Sequence, residues 1–333
     1  MHPAKSVILF TTASGAGYGL LAWLGVLAAL GLLPAERWLG VAGFGIGLGL
    51  VVLGLLSSTF HLGHPERAWR ALSQWRSSWL SREGVAAVVT FLPVGIFALL
   101  WVVAQTNSGA AAAVGLLASV CCAVTVACTA MIYASLRTIR AWSNAWTLPA
   151  YLALSAFSGA LLMNLLLQLW GLPLARAFGW AVLVLAVLSG AIKLGYWRSL
   201  ASQEGASTAE SATGLGGAPG GRGGSPGGGS GGGQGRVRLL EAPHSESNYL
   251  LQEMGFRIAR KHAAKLRRIA LVAGFLLPIV CVILGLALGG AVPAVLAALA
   301  AVAAMALGLA VERWLFFAEA KHVVTLYYGE SRA

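Results

Sequence analysis

The sequence predicts an all-α integral membrane protein: a bundle of eight spanning helices with one long polar loop. Three observations carry that prediction. Only 10% of the 333 residues are charged and 58% are apolar, whereas a soluble domain carries about 25% charged residues. Most of the surface must therefore face something other than water. Charges are absent from Gln105 to Leu136 and from Ile269 to Val311, stretches longer than the roughly 20 residues that cross a hydrocarbon core. The excess of 23 Lys and Arg over 11 Asp and Glu gathers in the breaks between apolar runs. There it reports orientation and headgroup contact rather than nucleic-acid binding.

The apolar runs place spans at 8–33, 38–61, 84–104, 110–136, 148–170, 174–197, 268–289 and 292–318. The first run continues to Leu33. That is too long for the ~7–15-residue core of a cleaved signal peptide, so it reads as a span. Pro34, Pro149, Pro173 and Pro293 fall near helix starts, where a missing N–H costs little. Gly15, Gly17 and Gly19, then Gly43, Gly45, Gly47 and Gly49, put small residues on helix faces that can approach closely. They are not a phosphate loop, because no strand and no basic residue accompanies them.

The segment from His61 to Glu83 is too polar to span. Trp69, Trp75 and Trp79 alternate with Arg67, Arg70, Arg76 and Arg82, a mixture suited to the headgroup interface. Ser81 is expected to cap the third span, with Glu83 in its first turn. From Gly214 to Gly235 the chain is mostly glycine; the stretch from Ser202 to Gly235 is expected to be disordered and dispensable. Beyond it, Leu250, Leu251, Met254, Ile258 and Leu266 recur at helical spacing among Arg257, Arg260, Lys261, Lys265, Arg267 and Arg268. That pattern predicts a basic amphipathic helix lying on the membrane and feeding the seventh span. The chain thus divides into spans 1–6 (1–201), a flexible linker (202–247), and the basic helix with spans 7 and 8 (248–333).

With eight spans both termini share a side. That side carries nearly every Lys and Arg; the other has only Arg37 and Arg176. The positive-inside rule makes the basic side, and both termini, cytoplasmic in a bacterial inner membrane. The long glycine-rich loop is then cytoplasmic too.

Few residues inside the spans can do chemistry. Cys121, Cys122, Cys128 and Cys281 lie in apolar runs without a CxxC pair and read as small apolar residues, not as zinc or iron–sulfur ligands; no metal site is expected. No two histidines sit at suitable depth on facing helices for a b-type haem. His61 ends the second span, where a capping or snorkelling role competes with a functional one. Glu312 and Arg313 lie near the basic end of the eighth span, read as a snorkelling arginine and its paired carboxylate. Asn164 and Gln168 share a face of the fifth span and are expected to bond between helices.

One run is more telling. His61-Leu62-Gly63-His64-Pro65-Glu66-Arg67-Ala68 resembles the H-L-G-x-P-x-R-A signature of the DmsC family, the membrane anchors of dimethyl-sulfoxide-reductase-type molybdoenzymes. Ser78, Leu80, Ser81 and Glu83 match at the family's distance. So do Met131 to Ser135, Trp146 to Pro149, and Arg313 with Phe316 and Phe317. The glycine-rich insert and basic helix lie outside the pattern.

The resemblance implies an anchor that binds a quinone (ubiquinone or menaquinone) and carries no haem. It would hold an iron–sulfur subunit that relays electrons to or from a molybdopterin subunit. It puts the quinone-site histidine on His61 and its acidic partner on Glu83, the pair expected to be catalytic. A histidine and a carboxylate at one interface can hydrogen-bond a quinone carbonyl and exchange its protons. Arg67, Arg82 and Arg313 either stabilise negative charge on a reduced quinone or contact lipid phosphates. A cytoplasmic basic face favours similarity to the sulfite-oxidising members, whose anchor reduces quinone, over a menaquinol-oxidising anchor of the reductase type. A secondary transporter is the reading of another class. It lacks support, since no inverted repeat is visible and ionisable groups at the midplane are scarce.

Overall fold

The computed structural model describes residues 4–59, 64–203, 208–210, 240–241, 258–288 and 290–328. His61, the glycine-rich stretch and the first part of the basic segment lie outside the described residues. Among the described residues eight helices are long and apolar enough to cross a membrane. They are α1 Lys5–Ala29, α2 Arg37–Thr59, α3 Trp79–Val102, α4 Ala110–Ala134, α5 Thr147–Leu169 and α6 Leu174–Gln203. α7 combines Ile258–Leu271, a π turn at Val272–Leu276 and Leu277–Leu288; α8 is Ala291–Ala318. Short 3₁₀ segments at Pro65–Gln74 and Val323–Tyr328 lie between α2 and α3 and after α8.

α1 and α5 form the centre, and glycines decide how close they come. A Cβ on Gly159 would run into the backbone of Gly19 and Leu20, and one on Gly19 into that of Ser155. Without a hydrophobic force between helices in lipid, such backbone contact is a main source of adhesion. Ser155 Oγ adds a hydrogen bond to the Gly15 carbonyl at 2.6 Å. α7 and α8 repeat the device, with Gly274 of the π turn against Gly308. Phe275 in the same turn stacks on Phe157 of α5, ring centres 5.9 Å apart.

Interactions between chain-distant residues define two ends. At one, Ser57 donates to the Ser6 carbonyl (3.1 Å), Trp142 Nε1 to the Phe316 carbonyl (2.8 Å) and the Val323 N–H to the Thr138 carbonyl (3.1 Å). Arg267 pairs with Glu319 there at 3.0 Å. This end gathers Arg67, Arg70, Arg76, Arg82, Arg137, Arg140 and Lys321, and is called the basic end. At the other, Trp101 Nε1 donates to the Glu36 carbonyl (3.0 Å), Asn107 Nδ2 to the Leu33 carbonyl (3.0 Å) and Trp170 Nε1 to the Glu36 carboxylate (2.7 Å).

From Ile258 the basic segment runs directly into the seventh span, the π turn joining the two parts of α7. Two expectations need correction. Helix α3 starts at Trp79, two residues ahead of Ser81, whose hydroxyl instead donates to the Ala71 carbonyl and ties α3 to the 3₁₀ segment. Asn164 Oδ1, expected to bond across helices, is buried with no partner among the described residues.

Candidate functional site

The polar interior lies in the half of the bundle nearest the basic end. Lys193 is about 15 Å from the C-terminal end of α6, at a 1.5 Å rise per residue. Its side chain is 1% exposed. The ammonium pairs with the Glu312 carboxylate of α8, which also binds the guanidinium of its neighbour Arg313, with Nη2–Oε1 at 2.8 Å. A charge this deep demands a partner, and here two cations share one carboxylate. Aromatic rings close the rest of the shell. Lys193 Nζ lies 3.8 Å from the Tyr196 ring centre, and the Arg313 guanidinium 4.2 Å from that of Tyr151 and 4.9 Å from that of Phe316. Arg313 is 2% exposed, so it does not snorkel: the Glu312 carboxylate and the two rings hold it inside.

Beside Arg313 a small cavity opens between α1, α4, α5 and α8. Thr11, Ser14, Tyr18, Thr129, Tyr151, Ser155, Ser158 and Arg313 contribute polar side chains to a lining whose surface is otherwise mostly apolar. Most of those hydroxyls are satisfied within their own helices; Thr11, for example, bonds the Val7 carbonyl at 2.9 Å and Ser14 the Phe10 carbonyl at 2.6 Å. The two phenols are not. Tyr18 is 2% and Tyr151 5% exposed, and neither hydroxyl makes a well-aligned hydrogen bond with a described residue, although Tyr151 lies beside the Arg313 guanidinium. The cavity measures about 20 Å³, enough for a water molecule, which needs ~10–15 Å³.

Glu83 occupies the first turns of α3 and is 6% exposed, with Oε1 unpartnered among the described residues. It lies within electrostatic reach of Tyr18 and Tyr133, and Arg313 within that of Tyr133 and Tyr151. Of the residues expected to form a site, Glu83 and Arg313 therefore converge on one tyrosine-lined interior. Arg67 and Arg82 stay on the 3₁₀ segment and the start of α3, at the surface. Arg67 sits 3.7 Å from Glu66, both more than half exposed. Arg82 donates to the Trp75 (3.0 Å) and Arg76 (2.7 Å) carbonyls and covers the Trp79 ring. Among the described residues no cluster of three or more His, Cys, Asp or Glu could hold a metal ion.

Sequence reasoning overlooked Lys193, Tyr18 and Tyr151. Lys193 had a readable signal: a lone lysine in an otherwise uncharged stretch of a span is a functional candidate by default. The tyrosines had none, because nothing in their spacing marks a phenol as unpartnered.

The match with known proteins fits this architecture. Residues 1–214 match the family described as DMSO reductase anchor subunit (DmsC). The chain belongs to the DmsC family. It is 34% identical to the C subunit of the Allochromatium vinosum sulfite dehydrogenase over 343 aligned positions, covering 98% of this chain and 99% of that one. It is 30% identical to the C component of the anaerobic dimethyl sulfoxide reductase of Escherichia coli K12 over 140 positions, 42% of this chain and 47% of that one. The eight spans of this DmsC-family member are those of a membrane anchor, and α8 with its Glu312–Arg313 pair lies in the region that the Allochromatium protein shares.

A quinone, the group such an anchor implies, finds suitable chemistry at Glu83. A buried carboxyl oxygen without a partner is a hydrogen-bonding group left open for a carbonyl or hydroxyl. The cavity itself does not suit a quinone ring, since ~300–1,000 Å³ is the usual scale of a small-molecule pocket.

Proposed function

We propose that this chain is the quinone-linked anchor of a bacterial inner-membrane oxidoreductase, holding an iron–sulfur subunit and a molybdopterin catalytic subunit at its basic end. Electrons from cytoplasmic sulfite oxidation pass through the partner's clusters to membrane quinone. The near end-to-end similarity to the C subunit of a sulfite dehydrogenase supports that substrate. The concentration of Arg and Lys at the end opposite Arg37 and Arg176 supports a cytoplasmic location for it and for both termini.

The observation that carries the quinone reading is Glu83: a carboxyl group buried in the first turns of a span, with one oxygen open and no cation paired to it among the described residues. A bound quinone supplies the two-electron chemistry. Glu83 hydrogen-bonds its oxygen and holds or gives the proton that accompanies reduction. His61, at the start of the same polar segment, supplies the second such group. Arg313 contributes positive charge from behind the tyrosines, and Arg67 and Arg82 meet phosphates or the partner at the surface.

Quinone-linked turnover of the membrane-bound complex tests this. Glu83→Gln and His61→Ala should each lower it by about 10²–10⁴, the range for positioned proton transfer, and normal rates in both would overturn the reading. Orientation is tested separately by a reporter fused after Ala333. Alkaline phosphatase activity there would put the terminus outside and favour a quinol-oxidising anchor of the reductase type.

A further inference from the structure

Two polar features of the interior have no role so far: the cavity between Tyr18 and Tyr151, and the Lys193–Glu312–Arg313 cluster beside it. They adjoin each other, because Arg313 lines the cavity. They also lead to Glu83, because Tyr18 lines the cavity and lies within electrostatic reach of that carboxyl. Three buried oxygens along this line, Tyr151 Oη, Tyr18 Oη and Glu83 Oε1, have no well-aligned partner among the described residues. Buried polar atoms are nearly always satisfied by protein or by ordered water, and the cavity has room for water at its middle.

The far side of the cluster reaches the surface. Lys193 interacts electrostatically with Glu319 at the end of α8. Glu319 pairs with Arg267, whose side chain is one-third exposed. The cluster's charge count points the same way. Two cations on one carboxylate leave a formal +1 in a low-dielectric interior, and loss of one proton would leave a neutral set. Arg313 cannot be the donor, since a guanidinium keeps its protons. Lys193 can.

We propose that the Tyr18–Tyr151 cavity is an internal proton-relay site, in which water and the two phenols pass a proton between Lys193 and Glu83. The inference rests on the quinone reading above. When Glu83 has given its proton to a quinone oxygen, the carboxylate regains one from the relay. Lys193 supplies it and becomes neutral, leaving Glu312 and Arg313 as a balanced pair. Lys193 then takes a proton from water on the Glu319 side. Two such cycles, with two electrons from the partner's iron–sulfur clusters, convert one quinone to one quinol, and the relay returns to its starting state. The protons consumed come from the basic end.

The test uses the intact complex in membranes, with sulfite as donor and as acceptor the short-chain ubiquinone or menaquinone analogue that supports wild-type turnover. Sulfite oxidation with a soluble dye reports assembly. The double variant Tyr18→Phe/Tyr151→Phe keeps the rings and removes only hydroxyls that make no well-aligned hydrogen bond with a described residue. Lys193→Arg keeps the cluster's charge and removes its releasable proton. Both should assemble, keep the KM for the quinone, lose at least about tenfold in kcat, a share of the ~10²–10⁴ attributed to proton transfer, and show a larger solvent deuterium isotope effect on kcat. Unchanged kcat and isotope effect in the double variant would overturn the relay, as would a change in KM alone. Glu83→Gln separates the two ideas. Lost quinone turnover in Glu83→Gln with a normal double variant removes the relay and leaves the quinone site, whereas normal turnover in Glu83→Gln removes the quinone reading itself.

Discussion

The two ends of the bundle solve the burial of polar groups in opposite ways. At the end opposite the basic one, the carboxylate Glu36 stays at the rim and caps α2. It accepts the N–H groups of Trp38 (2.9 Å) and Leu39 (2.5 Å) and the Trp170 indole. Those bonds, that from Trp38 foremost, hold its pKa below the usual carboxylate range. Trp101 and Asn107 add further closed bonds at this rim, and the polar side-chain atom left open in this half, among the described residues, is an amide oxygen, Asn164 Oδ1, which does not titrate. At the basic end the carboxylates Glu83 and Glu312 lie inside. One has an open oxygen and the other is shared by two cations. At one end the carboxylate is held at the rim by closed bonds. The other keeps groups that can gain or lose protons, at a cost that only a function explains.

That contrast can be broken or sharpened by substitution. The largest effect is expected at Glu312. Glu312→Gln leaves Lys193 and Arg313 as buried cations without an anion, and losing one member of a buried pair typically costs about 3–5 kcal/mol. Thermal unfolding of the detergent-solubilised complex should show a large loss, and near-wild-type stability would mean that the cluster is hydrated rather than sealed. A smaller, pH-dependent effect is expected at Glu36. Because its folded pKa is lowered, its stabilisation is complete above the ordinary carboxylate pKa and disappears as pH falls through the lowered value. Glu36→Gln should therefore lower Tm at neutral pH, and the difference from wild type should close under acid conditions. A difference that persists in acid would assign the loss to packing rather than charge. The smallest effect is expected at the exposed Glu66–Arg67 pair, where Arg67→Ala should change stability by no more than about 0.5 kcal/mol. If the same variant weakens retention of the iron–sulfur subunit on purification, the residue belongs to docking.

The number, order and approximate limits of the spans were legible because charge-free runs of membrane length permit few alternatives. The glycine contacts were legible in kind, since small residues repeat on α1 and α2. The partner that matters most to α1, Gly159, sits on α5 without such a repeat. Glu83 and Arg313 were found through a resemblance; their approach to the same buried Tyr133 was not, because residues 230 positions apart in the chain come to one tyrosine only through the packing of α3, α4 and α8. Ser81 misled because a serine near a helix start is usually a cap, while here the 3₁₀ segment folds back within reach and offers it a carbonyl. Lys193 was passed over amid aliphatic neighbours, although its position in a span was the clue.

The π turn of α7 bears on how this helix can be read and altered. On a straight α-helix at about 100° per residue, Phe275 would stand roughly 140° around the axis from Ala270. The wide turn absorbs one extra residue and swings Phe275 back towards the buried side, where it meets Phe157. The two parts of α7 are therefore out of phase with one another. A single helical wheel drawn across 258–288 assigns the wrong lipid-facing positions to one of them. A one-residue deletion within 272–276 would restore a regular helix while shifting every side chain beyond it relative to α6 and α8.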